Sequence, residues 1–463
     1  MKKIFLMIAM LAICISASAF DFYTGGIAYK IDHNEPNTVI VTYTSFMYNN
    51  YTTVDKSLII PETVTHNGTT YTVRGIDAYA FYDCQSYEGE IRIPSTVEYI
   101  GDYAFWLCCR AYGSLIIPNS VTYIGEYAFG RCAGLNGKLV LSENITELNT
   151  GTFAYCNFTG ELKIPESVTR INGEKNKVGA FSDCKFTGPL KLPSSLKYIG
   201  QNAFHSCTGF TGTLNIPSSV TTIEEKAFAY CSGFTGTLNI PSSVTSIGAN
   251  AFSHCTGFTG TPNISTAVTT IGDGAFSYCT GFTGTVNIPA SVTEIPGEIF
   301  RDCPGITGMN ISNKTTLIGY NAFNGTALKG VLHLPRSLQE VGGGAFANCP
   351  GITAICCRNP GPPVPKIWIS SFQDMYSKVK LYVPESSVTM YRYANTWCGF
   401  ANIGKLEPQG DVNGNEVIDV SDVTSLVNSI LSGETYASCD VNADGNVDVS
   451  DATAIINLIL SGN

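Results

Sequence analysis

Two stretches near the C-terminus place oxygen-bearing side chains at intervals that suit a metal ion. Residues 411–422 and 440–451 are twelve-residue segments whose starts lie 29 residues apart. Each offers carboxylate or amide oxygens at positions 1, 3, 5, 9 and 12 and a main-chain carbonyl at position 7, the ligand order of a Ca2+ loop. The candidate ligands are Asp411, Asn413, Asn415, Val417, Asp419 and Asp422 in the first loop and Asp440, Asn442, Asp444, Asn446, Asp448 and Asp451 in the second.

The distribution of charge favours a cation at these loops. The chain has 463 residues and a net charge of −10, and residues 411–463 contain seven Asp, two Glu and no Lys or Arg. Like charges at this density repel one another unless a cation compensates them. The acidic balance also argues against nucleic acid as a partner, because phosphate binding rewards basic patches.

The second loop follows the calcium pattern more closely than the first. Gly445 lies at its position 6, where the chain must bend sharply, whereas the first loop has Glu416 there and an uncharged Asn415 at position 5. A single acidic loop is also compatible with a solvated turn. Two tandem copies, each followed by a similar helix, favour two Ca2+ sites, with weaker or more strained binding in the first.

A helix is predicted after each loop. Apolar residues recur there at i, i+3, i+4, i+7 and i+8, which places them on one face, and Gly433 and Gly462 stand where helix caps would fall. Two such faces can bury each other. Because a core within 53 residues is small, calcium binding is expected to be part of folding. The apolar positions are Val423, Leu426, Val427, Ile430 and Leu431, then Ala452, Ile455, Ile456, Ile459 and Leu460.

This duplicated loop and helix resembles a type I dockerin over residues 411–462. The resemblance implies a Ca2+-dependent module that docks onto a cohesin domain of another polypeptide. It implies contacts at loop positions 10 and 11, which are Val420, Ser421, Val449 and Ser450 here. The near-identity of the two pairs is compatible with two pseudo-symmetric docking orientations.

The rest of the chain is dominated by a repeat of about 24 residues, clearest at 214–237 and 238–261. In one unit, the alternation of Thr213–Ile216 predicts a strand with Leu214 and Ile216 facing inward, and Pro217 ends it because it has no N–H. One such coil has almost no interior. Twelve copies therefore predict a solenoid in which each coil buries its apolar side against its neighbours.

The repeat resembles the BspA-type leucine-rich repeats of bacterial surface proteins. The resemblance implies a mainly β solenoid of right-handed coils, followed by the small all-α calcium-loop domain. The residues that carry it in one unit are Ile240, Pro241, Val244, Ile247, Ala251, Phe252 and Cys255. The domains expected are a cap at 20–57, the solenoid at 58–355, a second cap at 356–405, a linker at 406–410 and the dockerin at 411–463.

Eleven cysteines form a column, each three residues after a repeat Phe, with Thr326 in the twelfth place. Disulfides are one interpretation for an exported protein. Buried free thiols are favoured, because stacked Cβ atoms point the same way and an odd column cannot pair completely. Cys109, Cys356, Cys357 and Cys398 lie outside the column and are better candidates for a bridge. No cysteine has the paired spacing of a zinc site.

The N-terminus indicates export. Residues 1–19 combine a basic start, an apolar stretch and an A-x-A cleavage site, as in a signal peptide. Cys14 raises lipidation as an alternative. No later apolar run reaches the roughly 20 residues that span a bilayer. The protein is therefore expected to be secreted or associated with the cell surface.

We find no motif of a known active site among the five scattered His or the many Ser and Thr. The leading hypothesis is a non-catalytic interaction or adhesion protein, whose solenoid binds a protein or glycan and whose dockerin attaches it to a cohesin-bearing scaffold or surface. The alternative is an accessory or enzymatic component of a polysaccharide-degrading complex. A purely structural spacer is a third hypothesis.

Overall fold

The protein consists mainly of short strands joined by tight turns, in a computed structural model that describes part of the chain. Contacts between Cα atoms divide it into two compact units, Met1–Phe186 and Thr187–Asn463. The predicted signal peptide lies outside the described residues. Those residues are 20–44, 58–85, 87–406, 410, 412–413, 417–433, 437–442 and 446–461.

The first unit opens with antiparallel strands and continues with short parallel ones. Its strands are β1 (Phe22–Thr24), β2 (Ile27–Ile31), β3 (Thr38–Thr42), β4 (Leu58–Ile59), β5 (Thr63–His66), β6 (Thr69–Ile76), β7 (Ile91–Arg92), β8 (Tyr99–Ile100), β9 (Leu115–Ile116), β10 (Tyr123–Ile124), β11 (Leu139–Val140), β12 (Glu147–Leu148) and β13 (Arg170–Ile171). Pairing is antiparallel within β1–β2–β3 and between β5 and β6. It is parallel from β3 through β6 and β8 to β10. The parallel ladder therefore begins at β3, within the segment predicted as the N-terminal cap.

In the second unit, every strand pair that the structure describes is parallel, as expected for coils stacked one on the next. The register of β15, β17, β18 and β19 advances by one repeat at each step, and β24, β26, β28 and β29 form a second such ladder. The strands are β14 (Gly188–Pro189), β15 (Tyr198–Ile199), β16 (Phe210–Thr211), β17 (Thr222–Ile223), β18 (Ser246–Ile247), β19 (Thr270–Ile271), β20 (Gly284–Asn287), β21 (Glu294–Ile295), β22 (Ile306–Asn310), β23 (Leu317–Ile318), β24 (Lys329–Leu334), β25 (Glu340–Val341), β26 (Gly351–Cys357), β27 (Lys366–Ile367), β28 (Lys380–Val383) and β29 (Ile403–Lys405).

The strand predicted at Thr213–Ile216 is not formed there, although its pattern of burial is as predicted. Leu214 and Ile216 are buried and Asn215 is exposed, yet the paired residues of this coil are Phe210–Thr211 and Thr222–Ile223. The strand at this repeat position does form in other coils, as β9 and β11 in the first unit and as β20 in the second.

The core is built from columns of identical side chains. In the first unit, the repeat phenylalanines from Phe81 to Phe181 stack with ring centroids 4.9–5.7 Å apart. In the second, the column from Phe204 continues through Phe346 to Phe372 at 5.4–6.0 Å. Phe372 belongs to the segment predicted as a cap, and it extends the stacking by a further coil.

The cysteine column consists of free, buried thiols, as predicted. Each thiol with a described donor bond points at the carbonyl of the repeat Phe one coil earlier, for example Cys108 to Phe81 and Cys255 to Phe228, both at 3.1 Å. Thr326 instead donates to Phe323 of its own coil. Cysteine is thus small enough for the core and still provides a donor for a carbonyl that faces the interior.

Two positions in each coil have a left-handed backbone conformation, although most of the residues there are not glycine. Tyr79 and Asp83 have φ of 61° and 54°, and the same two columns contain other non-glycine residues throughout the solenoid. This conformation lets the N–H groups of Tyr79, Phe81 and Asp83 all donate to the next coil, at 2.6–2.9 Å. Glycine appears in these columns only occasionally, as at Gly151, so the pattern carries little sequence signal.

The C-terminal part of the second unit contains the helices α1 (Val388–Tyr393), α2 (Val420–Ser432) and α3 (Val449–Ser461), with short 3-10 turns at Glu385–Ser387, Trp397–Gly399 and Ala437–Cys439. Gly433 caps α2 in the predicted left-handed conformation, with its N–H bonded to Ile430 O. Gly462 lies outside the described residues. Helices α2 and α3 share a small core formed by Val412, Leu426, Cys439, Val441, Ala452 and Ile455.

The thiol column predicts a sharp division in cysteine reactivity. Burial raises the pKa of Cys255 and of Cys303 to about 12, whereas Cys109 and Cys398 are exposed. Because the thiolate is the reactive form, iodoacetamide at pH 8 should modify Cys109 and Cys398 rapidly in the native protein and the column only after unfolding. Peptide mass spectrometry with and without guanidinium measures this. Equal labelling of column cysteines in the native protein would contradict it.

Candidate metal-binding and docking site

The second calcium-type loop is held together by the acidic residue at its last position. The carboxylate of Asp451 accepts the N–H of Asn442 at Oδ1 (3.1 Å) and the N–H of Asp448 at Oδ2 (2.9 Å). Asp448 in turn accepts the N–H of Ser450 at 2.7 Å, and the Asn442 side-chain amide donates to the Ser450 hydroxyl at 2.7 Å. One buried carboxylate therefore ties positions 3, 9 and 12 of the loop together.

The first loop repeats this network. Asp422 accepts the N–H groups of Val412 and Asn413 at Oδ1 and that of Asp419 at Oδ2, at 2.8–3.0 Å. Asp419 accepts the N–H of Ser421, and the Asn413 amide donates to the Ser421 hydroxyl, both at 2.7 Å. Asp419 is the N-cap of α2 and forms a capping box with Asp422. Hydrogen bonds thus connect each loop to the first turn of the helix that follows it.

Hydrogen bonding keeps the carboxylates at position 9 ionised. The hydroxyl and the N–H of Ser421 lower the pKa of Asp419, and the N–H and hydroxyl of Ser450 lower the pKa of Asp448. Each residue also lies at a helix N-terminus, where the macrodipole favours negative charge. Anionic oxygens are therefore present at this position in both loops at neutral pH.

The described donors fit a hard divalent cation. The side-chain donors at positions 3, 9 and 12 all present oxygen, and a carboxylate oxygen that accepts one N–H retains a second lone pair. Asp422, Asp440 and Asp451 are buried, which favours a compensating charge nearby. Asp411, Asn415 and Asp444 lie outside the described residues, and within those residues no three His, Cys, Asp or Glu converge on one point.

The helices expose much of the apolar face that was predicted to be buried. Leu426 and Ile455 are buried as expected, but Leu431 and Leu460 are each 79% exposed. A core of six residues covers a narrower arc of each helix than the sequence spacing implies. The two apolar stripes therefore bury each other at Leu426 and Ile455, as predicted, but not at Leu431 and Leu460.

The exposed residues form equivalent surfaces on the two helices. Val420 is 69% exposed and Val449 is 73% exposed, at the N-terminal ends of α2 and α3. Leu431 and Leu460, near the C-terminal ends of the same helices, are equally exposed. Ser421 and Ser450 are also exposed beside the valines. We call Val420, Ser421, Val427 and Leu431 the first docking face, and Val449, Ser450, Ile456 and Leu460 the second. Sequence reasoning identified the valines and serines but assigned the other four residues to the core.

The histidines that the sequence left without a role take part in aromatic packing. His254 stacks between Tyr230 and Tyr278, with ring centroids 4.3 Å from each, and His205 meets Tyr230 edge-on. Partial burial lowers the pKa of His254. Both histidines are half-buried residues of the repeat coils in the second unit.

Comparison with family models places both parts of the chain. The BspA type leucine rich repeat region matches residues 56–177, 174–307 and 293–404, and the dockerin type I domain matches residues 409–460. Since the repeat matches together cover most of the 463 residues, the chain belongs to the BspA-type leucine-rich-repeat family. It carries a type I dockerin domain at its C-terminal end. The repeat match includes the segment predicted as a second cap.

The chain is similar to solved structures of bacterial leucine-rich repeat proteins, and the first of them shares its fold. A leucine-rich repeat protein from Bacteroides ovatus is 24% identical, covers 84% of this chain and 100% of its own, and superimposes with a TM-score of 0.59. A leucine rich cell surface protein from Faecalibacterium prausnitzii is 22% identical, with coverage of 86% and 98% and a TM-score of 0.46. A comparison with curated protein sequences found no match.

No helix among the described residues combines the length and the apolar character needed to cross a bilayer.

Proposed function

We propose that this chain is an exported, non-catalytic interaction protein. Its solenoid binds a protein or glycan partner, and its dockerin attaches it, with Ca2+, to a cohesin-bearing scaffold or cell surface. The observation that carries the proposal is the duplication of one loop network and one exposed helix face in the dockerin domain. The signal-peptide pattern at residues 1–19 supports export.

Two Ca2+ ions are proposed, one in each loop. Bound Ca2+ would supply positive charge and cross-link the oxygens of its loop. The chain's own part is to hold those oxygens in place through the bonds from main-chain N–H groups to Asp422 and Asp451. The ligands are those predicted from the sequence, with Val417 and Asn446 contributing main-chain carbonyls. Neutralising the carboxylates removes the repulsion that opposes folding of the acidic segment.

The two docking faces support a cohesin partner. Exposed Val and Leu side chains on a small domain are typical of a protein interface, because they gain from being covered. Their exposure is nearly equal on α2 and α3, so either helix presents a similar surface to one partner. The family resemblance implies two docking orientations, and this equivalence favours them.

A protein or glycan ligand for the solenoid is proposed from its repeated polar surface. Asn239, Asn263 and Asn287 are exposed in a column that also includes Asn310. Part of this column bonds internally, since Asn310 donates to Asn287 at 2.7 Å and Asn263 to Asn239 at 3.4 Å. A regular polar ladder suits extended binding, which is the usual role of a solenoid surface.

The calcium sites are tested by titration of the full chain after removal of metal. Wild-type protein should bind two equivalents of Ca2+. Asp451→Asn should bind one, because it weakens a ligand and disrupts the network that shapes the second loop. Asp374→Asn, which alters an exposed carboxylate of the solenoid, serves as the matched control and should still bind two. Calorimetry gives the stoichiometry, and a wild-type value of zero would refute the calcium assignment.

The docking faces are tested with a panel of purified type I cohesins in Ca2+ and in chelator. Loss of one face, by Val420→Asp with Leu431→Asp or by Val449→Asp with Leu460→Asp, should weaken binding by only about twofold, because the other orientation remains. Combining all four changes should weaken it by more than about 30-fold, as expected for loss of interface anchors. Ile116→Asp, at an exposed apolar residue of the first unit, is the control. Binding that survives the fourfold change or the chelator would contradict the proposal.

The alternative function is an accessory or enzymatic component of a polysaccharide-degrading complex, because dockerins commonly accompany glycoside hydrolases. That chemistry requires two carboxylates about 5 to 10 Å apart in a cleft. Incubation with plant and host polysaccharides distinguishes the two functions. We expect no release of reducing sugar, and release by the purified chain would overturn the non-catalytic assignment.

A further inference from the structure

A buried arginine of the repeat region lies against the second calcium loop. Arg358 directly follows β26, and its N–H donates to Leu334 O in the adjacent coil. Its side chain is 2% exposed and that of Asp440, at loop position 1, is 3% exposed. The Nη1 atom lies 3.7 Å from Asp440 Oδ2, which makes this an ion pair without a close hydrogen bond.

The arginine has poor compensation for its burial. Among the described residues, its Nε, Nη1 and Nη2 atoms have no hydrogen-bond partner. Burial lowers the pKa of Arg358, and the charges of Asp440 and, more weakly, Asp451 oppose that shift. Since a guanidinium does not lose its proton in proteins, Arg358 remains a cation. The carboxylate that faces it at ion-pair distance is Asp440, at position 1 of the loop and one of the proposed Ca2+ ligands.

The surroundings indicate a contact that can separate. A cavity of about 520 Å³ lies between the repeat strands β22, β24 and β26 and the start of the dockerin. Its dockerin side includes Gly410, Val412, Asn413, Ile418 and Ser438. A cavity of this size shows that the two surfaces are not closely packed. The buried charge pair is a described contact between the dockerin and the repeat region beside this cavity.

We propose that Arg358 is an internal competitor of Ca2+ at the second loop. In the metal-free chain its guanidinium provides positive charge beside Asp440 and holds the dockerin against the solenoid. Ca2+ at Asp440 makes a neighbouring guanidinium unfavourable, so Ca2+ binding and this internal contact oppose each other. The inference rests on the proposed calcium function and adds a residue that regulates it.

Reciprocity determines what the opposition must do. If the contact between Arg358 and the dockerin weakens Ca2+ binding by some factor, Ca2+ must weaken that contact by the same factor. Calcium would therefore release the dockerin from the solenoid as it orders the second loop. The module would be freed under the conditions in which it is competent to bind cohesin.

The test is calcium calorimetry on the full chain with three substitutions. Arg358→Gln should tighten one Ca2+ site by about 5- to 150-fold, the usual range for coupling between sites. Arg358→Lys retains the charge and should stay near the wild-type affinity. Arg392→Gln, at an exposed arginine that donates to Ile403 O, is the matched control and should change nothing. Melting curves in chelator verify that each variant is folded.

A second variant avoids altering the buried site. Inserting 20 Gly/Ser residues between Glu407 and Pro408 lowers the effective concentration of Arg358 at the second loop. The Ca2+ affinity of that loop should therefore increase. Small-angle scattering should show a larger radius of gyration for the wild-type chain in Ca2+ than in chelator. Arg358→Gln should show the larger value both in Ca2+ and in chelator. Two Ca2+ sites of unchanged affinity in Arg358→Gln and in the insertion variant would overturn this inference alone. Failure of the wild-type chain to bind Ca2+ would overturn the proposed function as well.

Discussion

The structure depends on stacking coils at the spacing of a parallel β ladder. A single coil cannot bury its apolar residues, so each position must be filled by a side chain that packs on its own copy in the next coil. Phenylalanine meets this constraint by ring stacking, and cysteine meets it by donating its thiol to the carbonyl of the previous repeat Phe, as Cys132 does to Phe105. The short strands result from this stacking.

In the dockerin, buried carboxylates organise the loops beside a small apolar core. Asp422 and Asp451 each gather main-chain N–H groups from their loop and fix the start of a helix. Carboxylates that are already ordered are suited to receive a cation, because less conformational entropy remains to be lost on binding. The small core leaves part of each helix face exposed, and these are the faces proposed to bind cohesin.

The proposed link between the two parts is electrostatic. The acidic segment needs positive charge, and it contains no Lys or Arg of its own. The repeat region provides one buried guanidinium, at Arg358, and the medium provides Ca2+. Because both cations would serve the carboxylate of Asp440, the charge deficit of the dockerin would connect its metal state to its position on the solenoid.

The solenoid, its inward columns, the preference for free thiols and the duplicated loops could all be predicted from the amino-acid sequence, because each is a local pattern repeated at a fixed interval. The tertiary structure decided in which coils the residues before the repeat Pro pair as a strand: Gly284–Asn287 do, whereas Thr213–Ile216 do not, although the residue types are similar. It also decided the exposure of Leu431 and Leu460, which depends on how wide an arc the partner helix covers. Arg358 was recognised only in three dimensions, because its environment comes from a loop more than 80 residues away in the chain.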